Sequence, residues 1–268
     1  MRPRHATRVL PALAAALLTA GAAACGGSTP EPEPASAPPP SAPAPADDAR
    51  IALAARAAAA EDHRFTAMYN LEVDGREPRS VLVTVAVDGT WRVDIPAGAL
   101  GGTADVSIAQ TEAGVFQCAL PSVTNPITPT CVRVAEKGKR VPKKYDPKIE
   151  RVFRQWLPVF TDRQAALSVT AAQPLPGSTG RCFSIDTISA SLSAPVDVGI
   201  YCYADDGLLT AARVKFGTLT IAGPPVPAPA KIDLPGPVTG GEPMDMNAPP
   251  PPPTTEPPAV PSAPIPSA

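Results

Sequence analysis

Hydrophobic and polar residues alternate along the middle of the chain, beginning at Phe65. The residues that continue this alternation are Ala67, Tyr69, Leu71 and Val73. Successive side chains of a strand point to opposite faces, so this period predicts a strand with one apolar face. The same period recurs in residues 81–87, 91–95, 106–108, 115–119 and 131–135. Asp-Gly pairs, which favour tight turns, separate the first three segments. The pattern predicts an antiparallel meander.

Helical patterns flank this meander. Residues 47–64 are rich in alanine and begin with two aspartates, which favour the start of a helix. After the meander, apolar residues recur at helical spacing and form a stripe: Ile149, Val152, Phe153, Trp156, Leu157 and Phe160. Asp146 and Pro147 can begin this second helix, and Pro158 must kink or end it. A short third helix is predicted over residues 163–169.

Strand patterns return in residues 181–188, 198–204 and 208–221. The last of these is long for a single strand and is therefore expected to curve strongly. The order of elements, a helix, several strands, helices and three more strands, predicts an α+β fold. A sheet with one face solvated and the other covered by helices satisfies this order.

The first residues predict export from the cytoplasm. Three arginines precede an apolar run over residues 9–24, which is short for a membrane span and ends in small residues, like a secretory signal. Residues 22–28 read Ala-Ala-Ala-Cys-Gly-Gly-Ser and resemble the lipobox of bacterial lipoproteins. In that motif the cysteine, here Cys25, carries a diacylglyceryl group with fatty acids such as palmitate. Ala22 stands where the motif usually has leucine. The alternative is an ordinary signal peptide cut nearby.

Proline content divides the rest of the chain. Residues 1–24 are assigned to a lipoprotein signal peptide, and residues 25–47, with eight prolines, to the lipidated cysteine and a tether. Residues 48–222 have the size of a single domain. Residues 223–268 contain 17 prolines and are predicted to be a disordered tail. Such a tail either solubilises the protein, extends into the cell wall or carries sugars.

The cysteine count agrees with export. Apart from Cys25, the chain has four cysteines, an even number that is typical of disulfides in an exported protein: Cys118, Cys131, Cys182 and Cys202. Three pairings are open to them. Pairing in sequence order, Cys118 with Cys131 and Cys182 with Cys202, keeps both loops short and fits the meander. We therefore predict these two disulfides.

One short stretch raises an alternative function. Residues 201–207, Tyr-Cys-Tyr-Ala-Asp-Asp-Gly, contain the Tyr-x-Asp-Asp box that reverse transcriptases use to hold magnesium. Polymerase chemistry would need a further carboxylate, a larger palm and a basic cleft. Residues 48–222, however, carry 19 basic and 18 acidic side chains, and no nucleic-acid binding is expected. The position of Asp205-Asp206-Gly207 between two apolar runs predicts a hairpin turn instead.

The sequence also lacks other patterns of catalysis and metal binding. After removal of the signal, His63 is the only histidine, at the end of the alanine-rich helix. With the cysteines paired, there is no His/Cys cluster for zinc and no evident Ser-His-Asp set. We expect a protein that is not an enzyme and needs no cofactor.

Basic residues concentrate between residues 133 and 154, where nine lysines and arginines accompany three acids. In a lipid-anchored protein, five of them could face anionic headgroups: Lys137, Lys139, Arg140, Lys143 and Lys144. A solvated loop leading into a helix is the alternative, and the sequence leaves both open.

These features together resemble the LolA-like superfamily, and within it the actinobacterial lipoproteins of the LppX and LprG kind. The resemblance covers residues 48–222 and rests on the architecture and on segments 114–118 and 205–209. It implies a strongly curved antiparallel β-sheet, a half-barrel, with helices packed on its concave face and space for acyl chains between them. The proline-rich C-terminal tail and the two disulfides depart from that family.

The function implied by the resemblance is that of a membrane-anchored extracytoplasmic lipoprotein at the outer face of the cytoplasmic membrane. It would bind or carry a lipid or another hydrophobic molecule. The residues expected to line the ligand cavity are those of the apolar stripe: Phe153, Trp156, Leu157 and Phe160. The alternative is a structural or protein-interaction envelope lipoprotein, with an envelope protein as partner and a plain packed core.

Overall fold

A computed structural model of the chain describes residues 46–123, 125–188 and 195–249. These residues form an α+β fold built on one antiparallel sheet of eleven strands. The strands are β1 Phe65–Glu72, β2 Arg79–Val85, β3 Trp91–Ala99, β4 Ala104–Thr111, β5 Gly114–Leu120, β6 Thr130–Ala135, β7 Leu167–Ala172, β8 Arg181–Thr187, β9 Gly199–Tyr203, β10 Leu209–Val214 and β11 Gly217–Ile221. The helices are α1 Ala46–Asp62 and α2 Leu157–Thr161. Short 3₁₀ turns span Leu100–Gly102, Lys143–Tyr145 and Ile149–Val152.

The sheet is open and consists of two meanders. Its strand order is β6-β5-β4-β3-β2-β1-β11-β10-β9-β8-β7. The meanders β1–β6 and β7–β11 join where β1 pairs with β11, with Tyr69 opposite Ile221 and Leu71 opposite Leu219. β6 and β7 form the two edges. The predicted α+β class with an antiparallel sheet is confirmed, whereas the packing of helices on a concave face stays a prediction.

The main hydrophobic core combines one face of the sheet with the helical segments. The alternating residues of β1 and β2 are buried in it, as the sequence predicted: Phe65, Ala67, Tyr69, Leu71, Val81, Val83 and Val85. α1 contributes Ala49, Leu53 and Ala57 to the same cluster. Burial of this apolar surface is the main force that holds the helix to the sheet.

The segment that carries the apolar stripe is not the continuous helix that its spacing predicts. A 3₁₀ turn follows Lys148, whose φ of 68° is left-handed, and α2 begins only at Leu157. Pro158 occupies the first turn of α2, where a proline costs no hydrogen bond, so it helps to start a helix instead of kinking one. The stripe residues are buried on one side of successive turns, and this arrangement gives the same spacing as a helix.

Two further predictions about secondary structure are wrong. Residues 163–169 do not form a helix, because β7 begins at Leu167. Residues 208–221 form two paired strands, β10 and β11, in which Val214 lies opposite Gly217. Gly217 has a φ of 141°, and a Cβ there would lie 2.3 Å from the carbonyl oxygen of Glu72. Only glycine therefore fits this turn beside β1.

Residues 223–249, here called the C-terminal strap, pack on the domain. The strap continues from β11 along β1, where Thr66 and Val226 exchange both backbone hydrogen bonds. It then accepts hydrogen bonds from Val87 and Asp88 at the turn after β2. The prediction that the chain is disordered from residue 223 is wrong for these residues, and residues 250–268 lie outside the described part.

The strap covers part of the second face of the sheet and passes its β6 edge. Ile232 is buried against Ala86 and Ala109, and Ala109 points away from the main core because it alternates with the core residue Ile108. Beside β6, the amide of Cys131 donates to Pro237, and the amide of Thr239 donates to Cys131. Prolines donate no hydrogen bond, but their carbonyl groups accept, so a proline-rich segment can line a sheet edge.

The two predicted disulfides are confirmed. Cys118 pairs with Cys131 across β5 and β6, and Cys182 pairs with Cys202 across β8 and β9. Each bond joins residues that face each other in neighbouring strands. Each disulfide therefore links two neighbouring strands near one edge of the sheet.

The Tyr-Ala-Asp-Asp sequence forms the predicted hairpin turn between β9 and β10. The amide of Leu208 donates to Asp206 Oδ1, and Gly207 has a φ of 87°. Asp205 pairs with Arg56 of α1. The two carboxylates therefore shape a turn and hold it against α1.

Candidate functional site

The apolar stripe meets tyrosines of the sheet in what we call the aromatic cluster. Phe153 packs edge-on against Tyr69, with ring centroids 4.9 Å apart. Trp156 and Phe160 pack edge-on against Tyr201, at 6.0 and 5.2 Å. Edge-to-face contacts add to the free energy of burial and fix the ring orientations. The turns before α2 are thus held against β1 and β9.

The buried tyrosines keep this region neutral. The hydroxyl of Tyr69 donates to the carbonyl of Leu209 at 2.8 Å, and that of Tyr201 donates to the carbonyl of Asp197 at 2.6 Å. Burial, the largest cause, raises the pKa of Tyr69, Tyr201 and Tyr203 well above the ordinary phenol value. These side chains therefore offer ring faces to a neighbour and no charge.

An open pocket of about 420 Å³, here called the α1 pocket, lies beside the aromatic cluster. It is lined by Arg50, Ile51 and Ala54 of α1, Phe160 of α2, and Arg163. Ile51 is 56% exposed, although isoleucine is normally buried. The pocket therefore combines apolar walls with cationic groups, a combination suited to an amphiphile with an acidic end.

The two arginines of the α1 pocket are engaged differently. The Arg50 guanidinium donates to the carbonyls of Leu167 and Ala165, at 2.6 and 2.7 Å, and so ties α1 to the start of β7. Arg163 makes no side-chain hydrogen bond or ion pair within the described part of the chain. Arg163 is therefore the cation that is free to meet a ligand.

The structure places the four predicted cavity residues together, but in different surroundings. Phe153, Trp156 and Leu157 are buried in the main core. Phe160, 2% exposed, is buried too, yet its ring also forms part of the wall of the α1 pocket. Of the four residues, Phe160 is therefore the one that connects the core with a solvent-accessible recess.

A buried pair of carboxyl groups lies in the turns before α2, and sequence reasoning missed it. Both carboxyl oxygens of Glu150 are buried and accept no hydrogen bond from a donor in the described residues. Burial, followed by the nearby Asp146 carboxylate, raises the pKa of Glu150 well above its ordinary value. Asp146 is itself paired with Arg151. The only sequence signal for the burial of Glu150 is its position next to the stripe residue Ile149.

Other predicted groups are scattered. His63 lies 3.9 Å from Asp206 at the hairpin turn, and no set of three or more His, Cys, Asp or Glu able to hold a metal occurs among residues 46–123, 125–188 and 195–249. In the basic run, Lys137 pairs with Glu112, and Lys144 pairs with Glu242 of the strap. The predicted lipidation site Cys25 lies outside the described residues.

The comparisons with known proteins identify no family. No protein-family model matches the chain, and no curated protein matches its sequence. Within the described residues, no helix has the length and apolar character needed to span a membrane.

Proposed function

We propose that this chain is an extracytoplasmic lipoprotein, anchored to the outer face of the cytoplasmic membrane through acyl chains on Cys25, that binds the apolar part of a lipid or similar amphiphile in the α1 pocket. One observation carries the binding role. Phe160 belongs at once to the aromatic cluster and to the wall of an open pocket with apolar and cationic sides. The export signal and lipobox support the location.

The size and chemistry of the α1 pocket support a small amphiphile or one segment of a chain. Its volume, about 420 Å³, lies within the range of ligand pockets. An apolar group that enters it would cover Ile51 and Ala54 and lie against the part of the Phe160 ring that lines the pocket. Arg163 would then meet a phosphate or carboxylate at the open end.

A second candidate function is favoured by a different observation. Phe153, Trp156 and Leu157 are packed as core residues, which is what a structural or protein-interaction envelope lipoprotein without a ligand would show. In that case the α1 pocket would be a surface recess only. Both candidates share the lipid anchor and the envelope location, and neither involves a catalytic step.

Native mass spectrometry of protein purified from a bacterial envelope tests the binding role. We expect a stoichiometric amphiphile on the domain, in addition to the acyl mass on Cys25. An Ala54→Trp variant should lose this ligand because the indole fills the α1 pocket. Ala58→Trp is the matched control, since Ala58 is an exposed residue of α1 that does not line the pocket.

The outcomes separate the two candidates. A folded wild-type protein that carries no ligand, or that keeps it equally in both tryptophan variants, would overturn the proposed site and favour the structural role. Thermal unfolding of the three proteins shows whether each variant is folded. Absence of acyl mass on Cys25 would overturn the anchor independently.

A further inference from the structure

A second recess, here called the basic pocket, has a volume of about 250 Å³ and different chemistry. It lies between β3, β4, the loop after β6 and the turns at α2. Its lining residues are Trp91, Gln110, Gly138, Lys139, Arg140, Arg154, Gln155 and Pro158. Three of these side chains are cationic, and none is acidic.

Two cations at the rim of the basic pocket form no ion pair with a neighbour in the described part of the chain. Lys139 and Arg140 are exposed, and neither forms an ion pair with another residue of the described part. Lys137 of the same loop, by contrast, pairs with Glu112. The loop therefore presents two free cations at the rim of the pocket.

Arg154 lies deeper and is also without a carboxylate partner among the described residues. Its Nη1 donates to the carbonyl of Glu61 at 3.1 Å. Burial, and then the like charge of Arg64, lowers the pKa of Arg154, while the nearby carboxylates of Glu61 and Asp62 partly oppose this shift. An anion in the pocket would add a charge-assisted contact to this partly buried guanidinium.

Two amide side chains supply neutral hydrogen-bonding groups. Oε1 of Gln155 is buried and has no partner among the described residues, although buried acceptors are normally satisfied. Oε1 of Gln110 accepts from the amide of Gly138 at 2.9 Å and thereby holds the loop in place. Trp91 adds an aromatic wall. The Gln155 acceptor is therefore available to a donor, such as a hydroxyl group of a bound molecule.

We propose that the basic pocket binds an anionic saccharide. Its phosphate or carboxylate group contacts Lys139, Arg140 and Arg154. Its hydroxyl groups pair with Gln155, and its sugar ring lies beside Trp91. A free sugar phosphate and an acidic residue of an envelope polysaccharide share this chemistry. The site is separate from the α1 pocket and does not depend on an acyl ligand.

Titration of the full mature chain at constant ionic strength tests this inference. The probes are glucose 6-phosphate, glucose, inorganic phosphate and an oligogalacturonate, followed by calorimetry or NMR shifts. At least one acidic saccharide should bind at least about tenfold more tightly than glucose and inorganic phosphate. Preference for glucose 6-phosphate points to a free sugar phosphate, and preference for oligogalacturonate points to an acidic polysaccharide. Binding of inorganic phosphate as tight as that of either saccharide would overturn the proposal.

Variants locate the binding. The double variant Lys139→Gln with Arg140→Gln should weaken saccharide binding about tenfold or more, because two charge-assisted contacts are lost. Arg181→Gln with Lys215→Gln removes two exposed cations that do not line the basic pocket and should leave affinity unchanged. Gln155→Leu should weaken saccharide binding without changing the affinity for inorganic phosphate. Equal losses in the two double variants would overturn the site. None of the substituted residues lines the α1 pocket, so the outcome is independent of the proposed lipid site.

Discussion

The backbone amide of Ile232 donates a hydrogen bond of 2.9 Å to the hydroxyl oxygen of Thr90, 142 residues earlier in the chain. Thr90 is itself buried, and its hydroxyl donates to Asp88 Oδ1 at 2.6 Å. This contact fixes the C-terminal strap to the turn between β2 and β3. The strap is therefore part of the folded domain, although its proline-rich composition predicts disorder.

Removal of the strap should destabilise the domain. Deleting residues 223–268 removes the backbone hydrogen bonds at β1, β6 and the turn after β2, and it exposes the apolar face under Ile232. The expected loss is about 3 kcal/mol of unfolding free energy, measured by urea unfolding.

Deleting only residues 250–268 is the matched control, because it keeps the contacts that residues 223–249 make with the sheet. It should leave the unfolding free energy nearly unchanged. Equal stability of both truncated proteins would contradict the role of the strap.

Gly207→Ala should strongly destabilise the hairpin turn against α1. A Cβ at residue 207 would lie 2.2 Å from the backbone nitrogen of Ala60, and the φ of 87° disfavours a side chain as well. The expected cost is about 3 kcal/mol or more. Gly89→Ala separates the two effects, since Gly89 has a similar φ of 84° but no atom within 4 Å of the added Cβ.

The control substitution at Gly89 should cost about 1 kcal/mol, from backbone strain alone. Thermal or urea unfolding measures both variants under the same conditions. Similar costs for the two substitutions would show that α1 does not pack on the turn as described.

The contribution of Glu150 to the stability of the protein should fall as the pH rises above the ordinary glutamate pKa of 4.5. Its pKa is raised in the folded state, so the unfolded chain loses this proton at a lower pH than the folded protein does. Over that window the folded state binds more protons, and this group contributes a loss of about 1.4 kcal/mol per pH unit.

Glu150→Gln removes this titration but keeps a neutral group of the same shape. The variant should match the wild type in stability near pH 4 and exceed it near pH 8. The difference between the two unfolding curves across pH isolates Glu150 from all other groups. A difference that does not change with pH would rule out a buried neutral carboxyl.

Arg50→Lys should loosen the connection between α1 and β7. Lysine cannot reproduce the planar fork that donates to the carbonyls of Leu167 and Ala165. We expect a loss of about 1–2 kcal/mol in unfolding free energy. Arg163→Lys in the same pocket should change stability by less than about 0.5 kcal/mol. Indistinguishable effects would contradict the assignment of Arg50 as the anchor.

The sequence by itself determined the features that depend on near neighbours. The alternation from Phe65 to Val73 and the Asp-Gly turns predicted the first strands, because strand faces and tight turns follow local rules. The pairing of Cys118 with Cys131 followed from their position on adjacent strands. The apolar stripe correctly identified buried residues, since burial depends on side-chain chemistry.

The tertiary structure alone decided how that stripe is arranged and where the proline-rich segment lies. Phe153 lies in the turns before α2 and Phe160 in the short helix α2, where they pack against the rings of Tyr69 and Tyr201, far away in sequence. At the β6 edge, the carbonyl of Pro237 accepts a hydrogen bond from the amide of Cys131, and contacts of this kind hold the strap in place. Such contacts join residues that are distant in the chain, so local propensity cannot predict them.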